Sequence, residues 1–126
     1  MKTLTTIVLF ILMSSSLFSQ DLKGKWTGTL QVQGTELRVI FHVTQTDGQY
    51  TTTLDSPDQK VTGIPIAATY FNNPGVKFES SNIGLVYEGL WADNRITGKW
   101  MQAGQSFPLI LLKEEDVPKG NEHEKR

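Results

Sequence analysis

Few residues in this chain have types and spacing suited to chemistry, and most of them gather at one turn. Leu54-Asp55-Ser56-Pro57-Asp58-Gln59 brings a hydroxyl, two carboxylates and an amide together, and His42 is the only histidine ahead of the C-terminal stretch. His42 with Ser56 and Asp55 or Asp58 has the composition of a Ser-His-Asp triad. In such a triad the imidazole takes the hydroxyl proton and the carboxylate orients the ring, so geometry rather than spacing defines it. No Gly-x-Ser-x-Gly turn exposes a nucleophile, and the residue three positions after Ser56 is Gln59, where a Ser-x-x-Lys site needs lysine. Cysteine is absent, so there is no thiol nucleophile. The expectation is a non-catalytic chain, with Ser56, Asp58 and Gln59 capping a turn through side-chain-to-backbone hydrogen bonds. His42 then stands outward on a strand beside Arg38 and Thr44.

Metal chemistry is equally thin. One histidine without cysteine completes a zinc site only with several carboxylates. Asp55 and Asp58 lack the alternating oxygen ligands and central glycine of a regular calcium loop. Glu88 paired with Asp55 or Asp58 would serve glycoside hydrolysis only at a separation of about 5 to 9 Å. No metal and no cofactor is expected. Binding is the better class: Asp55, Ser56, Asp58, Gln59, Gln102 and Gln105 fall in loops or at strand ends, where a rigid scaffold positions contact groups. Trp26, Tyr87 and Trp100 complete the candidate binding set. Tyr70, Phe71 and Trp91 are further aromatics whose ordinary role is core packing.

The elements that must hold these residues are strands. From Trp26 onward apolar residues recur at every second position, the period of a strand with one buried face. Trp26, Leu30 and Val32 alternate with Thr27, Thr29 and Gln31; beyond a turn at Gly34, Leu37, Val39, Phe41 and Val43 alternate with Arg38, His42 and Thr44. Asp47-Gly48 is a hairpin signal, and Tyr50, Thr52 and Leu54 form the third strand. Ile64, Ile66 and Ala68 form the fourth, with Pro65 marking an edge, corner or bulge. Turns at Asn72 to Gly75, Asp93-Asn94 and Ala103 to Gln105 separate strands carrying Val76 and Phe78; Leu85, Tyr87, Gly89 and Trp91; Ile96, Gly98 and Trp100; and Phe107, Leu109 and Leu111. Eight short strands joined by tight turns predict an all-β, up-and-down antiparallel barrel, because closure removes exposed edges. Gly28, Gly89 and Gly98 fall at inward positions, suiting either a barrel corner or the approach of Trp26 or Trp100.

Lys2, the apolar stretch Leu4 to Met13 and the small polar residues Ser14 to Ser19 have the form of a signal peptide. Residues 1–19 are therefore expected to be removed between Ser19 and Gln20. The apolar stretch is short of the roughly 20 residues of a membrane span, and no cysteine follows it for lipid attachment, so a secreted or periplasmic product without a membrane anchor is expected. With Lys2 gone, net charge is about −2, and no basic stripe invites nucleic acid. Without disulfides, burial of apolar surface must hold residues 20–113 together. Residues 114–126 read as a charged, disordered tail in which Val117 is the only large apolar residue.

Two resemblances attach to these residues. Gly24-Lys25-Trp26 at the mouth of the first strand is similar to the opening of lipocalins, whose barrels close beneath a tryptophan; that likeness implies a barrel filled by side chains or holding one small ligand. Across residues 21 to 113, Leu37-Arg38-Val39-Ile40-Phe41-His42-Val43, Asp55 to Gln59, Gly63-Ile64-Pro65, Tyr87-Glu88-Gly89, Ile96-Thr97-Gly98 and Gln105-Ser106-Phe107-Pro108-Leu109 resemble the small β domain that precedes the catalytic domain of secreted bacterial serine hydrolases. In that family the chemistry belongs to the following α/β-hydrolase or β-lactamase-like domain. Residues 114–126 resemble its linker rather than its start. The resemblance implies an exported accessory domain that binds a protein partner, such as an exported hydrolase, through an exposed patch involving Ile40, Ile110 and Leu112. The alternative is a lipocalin-like carrier of a small apolar ligand in a cavity bordered by Trp26, Phe41, Tyr87 and Trp100. An independent hydrolase ranks third.

Overall fold

Alternation of apolar and polar residues, broken by turn dipeptides, folds the chain into successive hairpins. A computed structural model describes residues 21–114; the expected signal segment and residues 115–126 of the expected tail lie outside the described residues. Nine strands follow: β1 (Gly24–Val32), β2 (Thr35–Thr46), β3 (Gln49–Ser56), β4 (Val61–Ile66), β5 (Ala68–Asn72), β6 (Gly75–Ser80), β7 (Leu85–Ala92), β8 (Arg95–Gln102) and β9 (Gln105–Lys113). Short 3-10 turns at Pro57–Gln59 and Ser81–Ile83 follow β3 and β6. All pairings are antiparallel, in the sheet order β4-β3-β2-β1-β9-β8-β7-β6-β5. β1 meets β9 through Trp26 opposite Lys113 and Thr27 opposite Leu112, which brings the two ends of the described chain together. The expected Asp47-Gly48 hairpin has φ of 51° and 78°, the two positive values that a tight turn of matching twist requires.

The eight-strand expectation is corrected to nine. The fourth strand divides at Ala67: β4 pairs with β3, setting Ile66 opposite Thr52 and Ile64 opposite Leu54, whereas β5 pairs with β6, setting Ala68 opposite Glu79 and Asn72 opposite Gly75. Pro65, which has no amide hydrogen to give, lies on the strand that ends the sheet. One descending pass of chain thus changes partner midway. Hydroxyls bridge the resulting seam: Thr52 Oγ1 lies 2.7 Å from Thr69 Oγ1, and Ser80 Oγ donates to the Pro65 carbonyl at 3.1 Å. The barrel is nearly closed.

The inward residues form one core. Trp26, Phe41, Phe78, Tyr87, Ile96 and Leu111 are fully buried, each stabilising by roughly 1.5 to 3 kcal/mol. Phe41 stacks on Phe78 at 4.5 Å between ring centroids and lies 5.8 Å from Tyr87. The Tyr87 hydroxyl donates to the Leu109 carbonyl at 2.9 Å, so the buried polar atom is satisfied. The inward glycines allow close approach of neighbouring strands: a β-carbon on Gly98 would lie 2.3 Å from the Glu88 carbonyl oxygen, and one on Gly28 2.5 Å from that of Ile110. The nearest atoms are backbone at Gly98, and backbone with Leu109 or Ile96 side chains at Gly28 and Gly89, and they fix the residue type.

Candidate functional site

An up-and-down chain sends alternate connections to opposite ends, and the two ends differ. The 47–48, 73–74 and 93–94 turns share one end with Asp21 and Lys113; the 33–34 and 103–104 turns and both 3-10 turns share the other. At the first end residues 21–23 cross the barrel. Leu22 is fully buried and its carbonyl accepts from Trp26 Nε1 at 2.9 Å. Trp26 meets Trp91 edge to face at 5.6 Å, Phe71 packs on Trp91 at 5.3 Å, and Tyr50 on Phe71 at 6.1 Å. Lys113 Nζ donates to the Asp21 carbonyl at 3.0 Å, above the Trp26 and Trp91 rings. This end is sealed.

The opposite end is a mouth. No segment crosses it among the described residues, and the strand ends surround a cleft of about 470 Å³. Leu30, Val39, Leu54 and Ile64 line its depth; Ile83, Trp100 and Phe107 its far wall; Ser56, Gln59, Gln102 and Gln105 supply its polar groups. The polar groups are oriented by one another. Ser56 Oγ donates to Gln59 Oε1 at 2.6 Å. Trp100 Nε1 donates to Gln102 Oε1 at 3.1 Å, while Gln102 Nε2 donates to the Ile83 carbonyl at 2.8 Å. A broader depression of about 530 Å³ on the outer wall, over Gly75, Gly89 and Gly98, opens to solvent across most of its extent.

The structure therefore brings Ser56, Gln59, Trp100, Gln102 and Gln105 together and sets the other four sequence candidates elsewhere. Trp26 and Tyr87 are fully buried, in the seal and the central core. Asp55 faces outward, because successive strand residues alternate. It accepts from the Gly63 amide at 2.7 Å and lies 2.7 Å from His42 Nε2. The Gly63 amide first, and then His42, hold the Asp55 carboxyl below the usual carboxylate range against the opposing effect of burial. Asp58 accepts from the Arg38 amide at 2.8 Å and from its guanidinium at 3.1 Å, and Arg38 lowers its pKa. These carboxylates tie the turn after β3 to β2 and β4.

The same alternation separates the triad candidates. His42 and Asp55 meet on the outer face, but Ser56 points inward, 5% exposed, with its proton committed to Gln59. Glu88 is also outward, on β7, across the sheet from β3. Among the described residues no group of three or more histidine, cysteine or acidic side chains is placed to hold a metal. The aromatic lining of the expected cavity is closed up: Phe41 and Tyr87 pack ring on ring, Trp26 lies in the seal, and Trp100 alone reaches the cleft.

Ile83 was missed by sequence reasoning, since Ser81–Ile83 interrupts the alternation instead of belonging to it. Leu30, Leu37, Val39, Leu54 and Phe107 read simply as core. The signal that marks them as cleft residues is positional: each lies within a few residues of a connection at the mouth end. Of the outer candidates, Ile110 and Leu112 are 47% and 50% exposed on β9, beside Ile40 and Thr27.

Compared with known proteins, the chain matches no family model, no curated protein and no solved structure.

Proposed function

We propose that this is an exported, lipocalin-like binding domain that takes a small, mainly apolar ligand in the mouth of its barrel. The observation that carries the reading is the asymmetry of the two ends: one is plugged by Leu22 and Trp26, and the other keeps an apolar-lined cleft within the size range of small-molecule sites. Its few polar groups stand at the rim, as orientation of a ligand requires. Export is supported by the character of residues 1–19, and the accessory-domain reading by the resemblance of the chain's motifs to the β domain of secreted serine hydrolases. The test is titration of the purified domain with the uncharged fluorescent probe N-phenyl-naphthylamine. One saturable site is expected, lost in Val32→Trp, which places an indole at the partly exposed rim, and retained in Ile110→Glu. Absence of saturable binding by the folded domain refutes the reading.

A second reading has its own observation. Ile110 and Leu112, 47% and 50% exposed, lie with the partly exposed Ile40 on the outer wall, and such an apolar patch suits docking of another exported protein. Ile110→Glu would abolish that association while leaving probe binding unchanged.

A further inference from the structure

We infer that the mouth cleft selects uncharged ligands that carry a hydrogen-bond acceptor at one end, such as an ester or a ketone, and rejects the corresponding carboxylates. The inference rests on the cleft reading and adds the ligand class. Its first ground is charge. Among the described residues, those lining the cleft include no Asp, Glu, Lys, Arg or His, so an ionised group moved into it loses water and gains no countercharge from them. The outer wall differs: Lys77, Glu88 and Lys99 surround the broader depression there.

Its second ground is the direction of the polar groups. Gln102 has its carbonyl oxygen engaged by Trp100 and one hydrogen of its amide nitrogen by the Ile83 carbonyl, so its amide is fixed with one hydrogen left over. Ser56 gives its proton to the Gln59 carbonyl oxygen. That contact turns the Gln59 amide so that its nitrogen, with two hydrogens, is the end left for a ligand. The oriented amides, Gln59 and Gln102, therefore offer hydrogens to a ligand, while Gln105 is held by neither of these contacts and can turn either end of its amide. Those hydrogens suit a carbonyl oxygen, while the apolar walls of β1, β2 and β3 suit a hydrocarbon chain.

The experiment is displacement of N-phenyl-naphthylamine by methyl decanoate and by decanoate, on the wild-type domain and two rim variants, near pH 7.5. The ester is expected to displace the probe at least about tenfold more effectively than the acid, because the ionised carboxylate, with an ordinary pKa near 4 to 5, must shed water or take up a proton to enter. Gln59→Leu removes the donor and weakens ester binding by roughly two- to tenfold. Gln59→Lys supplies the missing charge, so decanoate gains and the ester does not. Gln59 is itself exposed, and because both variants remove the acceptor of the buried Ser56 hydroxyl, urea denaturation of each confirms the fold before binding is read. Decanoate binding as tightly as the ester to wild type, or no gain for decanoate in Gln59→Lys, overturns the inference while leaving the cleft reading intact. Failure of the probe itself to bind refutes the cleft reading, and the inference with it.

Discussion

At the sealed end of the barrel, Leu22, Trp26, Trp91 and Phe71 meet under a lysine ammonium; at the mouth, Leu30, Leu54, Trp100 and Phe107 point inward with equal regularity and leave a cleft. The inward pattern of the strands is the same at both ends. What differs is a crossing segment: residues 21–23 run beneath the barrel, and the Trp26 indole and the Lys113 ammonium bind the carbonyls of that segment. At the mouth the 3-10 turns stay on the rim. A small barrel thus becomes a container or a solid body according to one short stretch outside its strands.

The sharpest way to break the comparison is to truncate one aromatic at each end. Trp26→Ala should cost about 3 to 5 kcal/mol, as large-to-small changes at fully buried aromatics do. Phe107→Ala, at a half-buried position facing the cleft, should cost about 1 to 2 kcal/mol, because only part of its surface leaves water on folding. Urea denaturation measures both, and equal losses would mean that the mouth is packed as tightly as the seal.

Between the ends, Tyr87 tests whether the centre is dry. Tyr87→Phe removes the hydroxyl hydrogen bond to the Leu109 carbonyl and should cost about 1 kcal/mol. Burial also raises the Tyr87 pKa well above the ordinary tyrosine value of 10.0. A raised pKa in the folded state contributes stability that is complete below the unfolded value and is lost as pH rises toward the folded one. Phenolate absorbance should therefore show Tyr87 ionising only as the protein unfolds in alkali, whereas water reaching the centre would let it ionise in the folded state.

The smallest expected effect sharpens the rim. The folded pKa of Asp55 lies below its ordinary value of 3.8. Its contribution is therefore present above that pH and fades as the pH falls through the folded value. Hydrogen exchange at the Gly63 amide should quicken selectively in Asp55→Ala, and in the wild type only as the pH falls through the lowered folded pKa, below 3.8. Unchanged exchange would show that β4 holds its place at the mouth without this carboxylate.

Much of the fold was legible because alternation and turn chemistry are local. The apolar inward residues of β1, β2, β3, β7, β8 and β9 and the turns at 33–34, 47–48, 93–94 and 103–104 follow from spacing and dipeptides, whereas Ala68, read in line with Ile64 and Ile66, stands opposite Glu79 because the change of partner lets Thr69 and Phe71 take the inward places. The division at Ala67 was legible only as a warning, since Pro65 shows that a partner is missing without showing where the chain finds the next one. The site was half legible. Gln59, Gln102 and Gln105 stand out as amides at strand ends, and Trp100 as a large aromatic near them. Asp55 and Asp58 drew attention for the same polar density, yet the Gly63 amide and Arg38 occupy them, and those contacts span 8 and 20 residues of sequence. Leu22 was invisible, because a single leucine before a strand carries no period.

The change of partner at Ala67 bears on how the molecule reaches its fold. Every ladder but one joins strands that are consecutive in sequence; the exception is β1 with β9, which closes a loop of nearly the whole domain. Asp21 and Lys113 already touch, so a short peptide joining them, with the backbone opened at Ala67, gives a chain whose order of synthesis is its order around the wall, from β5 to β9 and on through β1 to β4. Such a circular permutant makes all its pairings between neighbours and lowers its contact order, and with it the entropy of closing the long loop that delays the native chain.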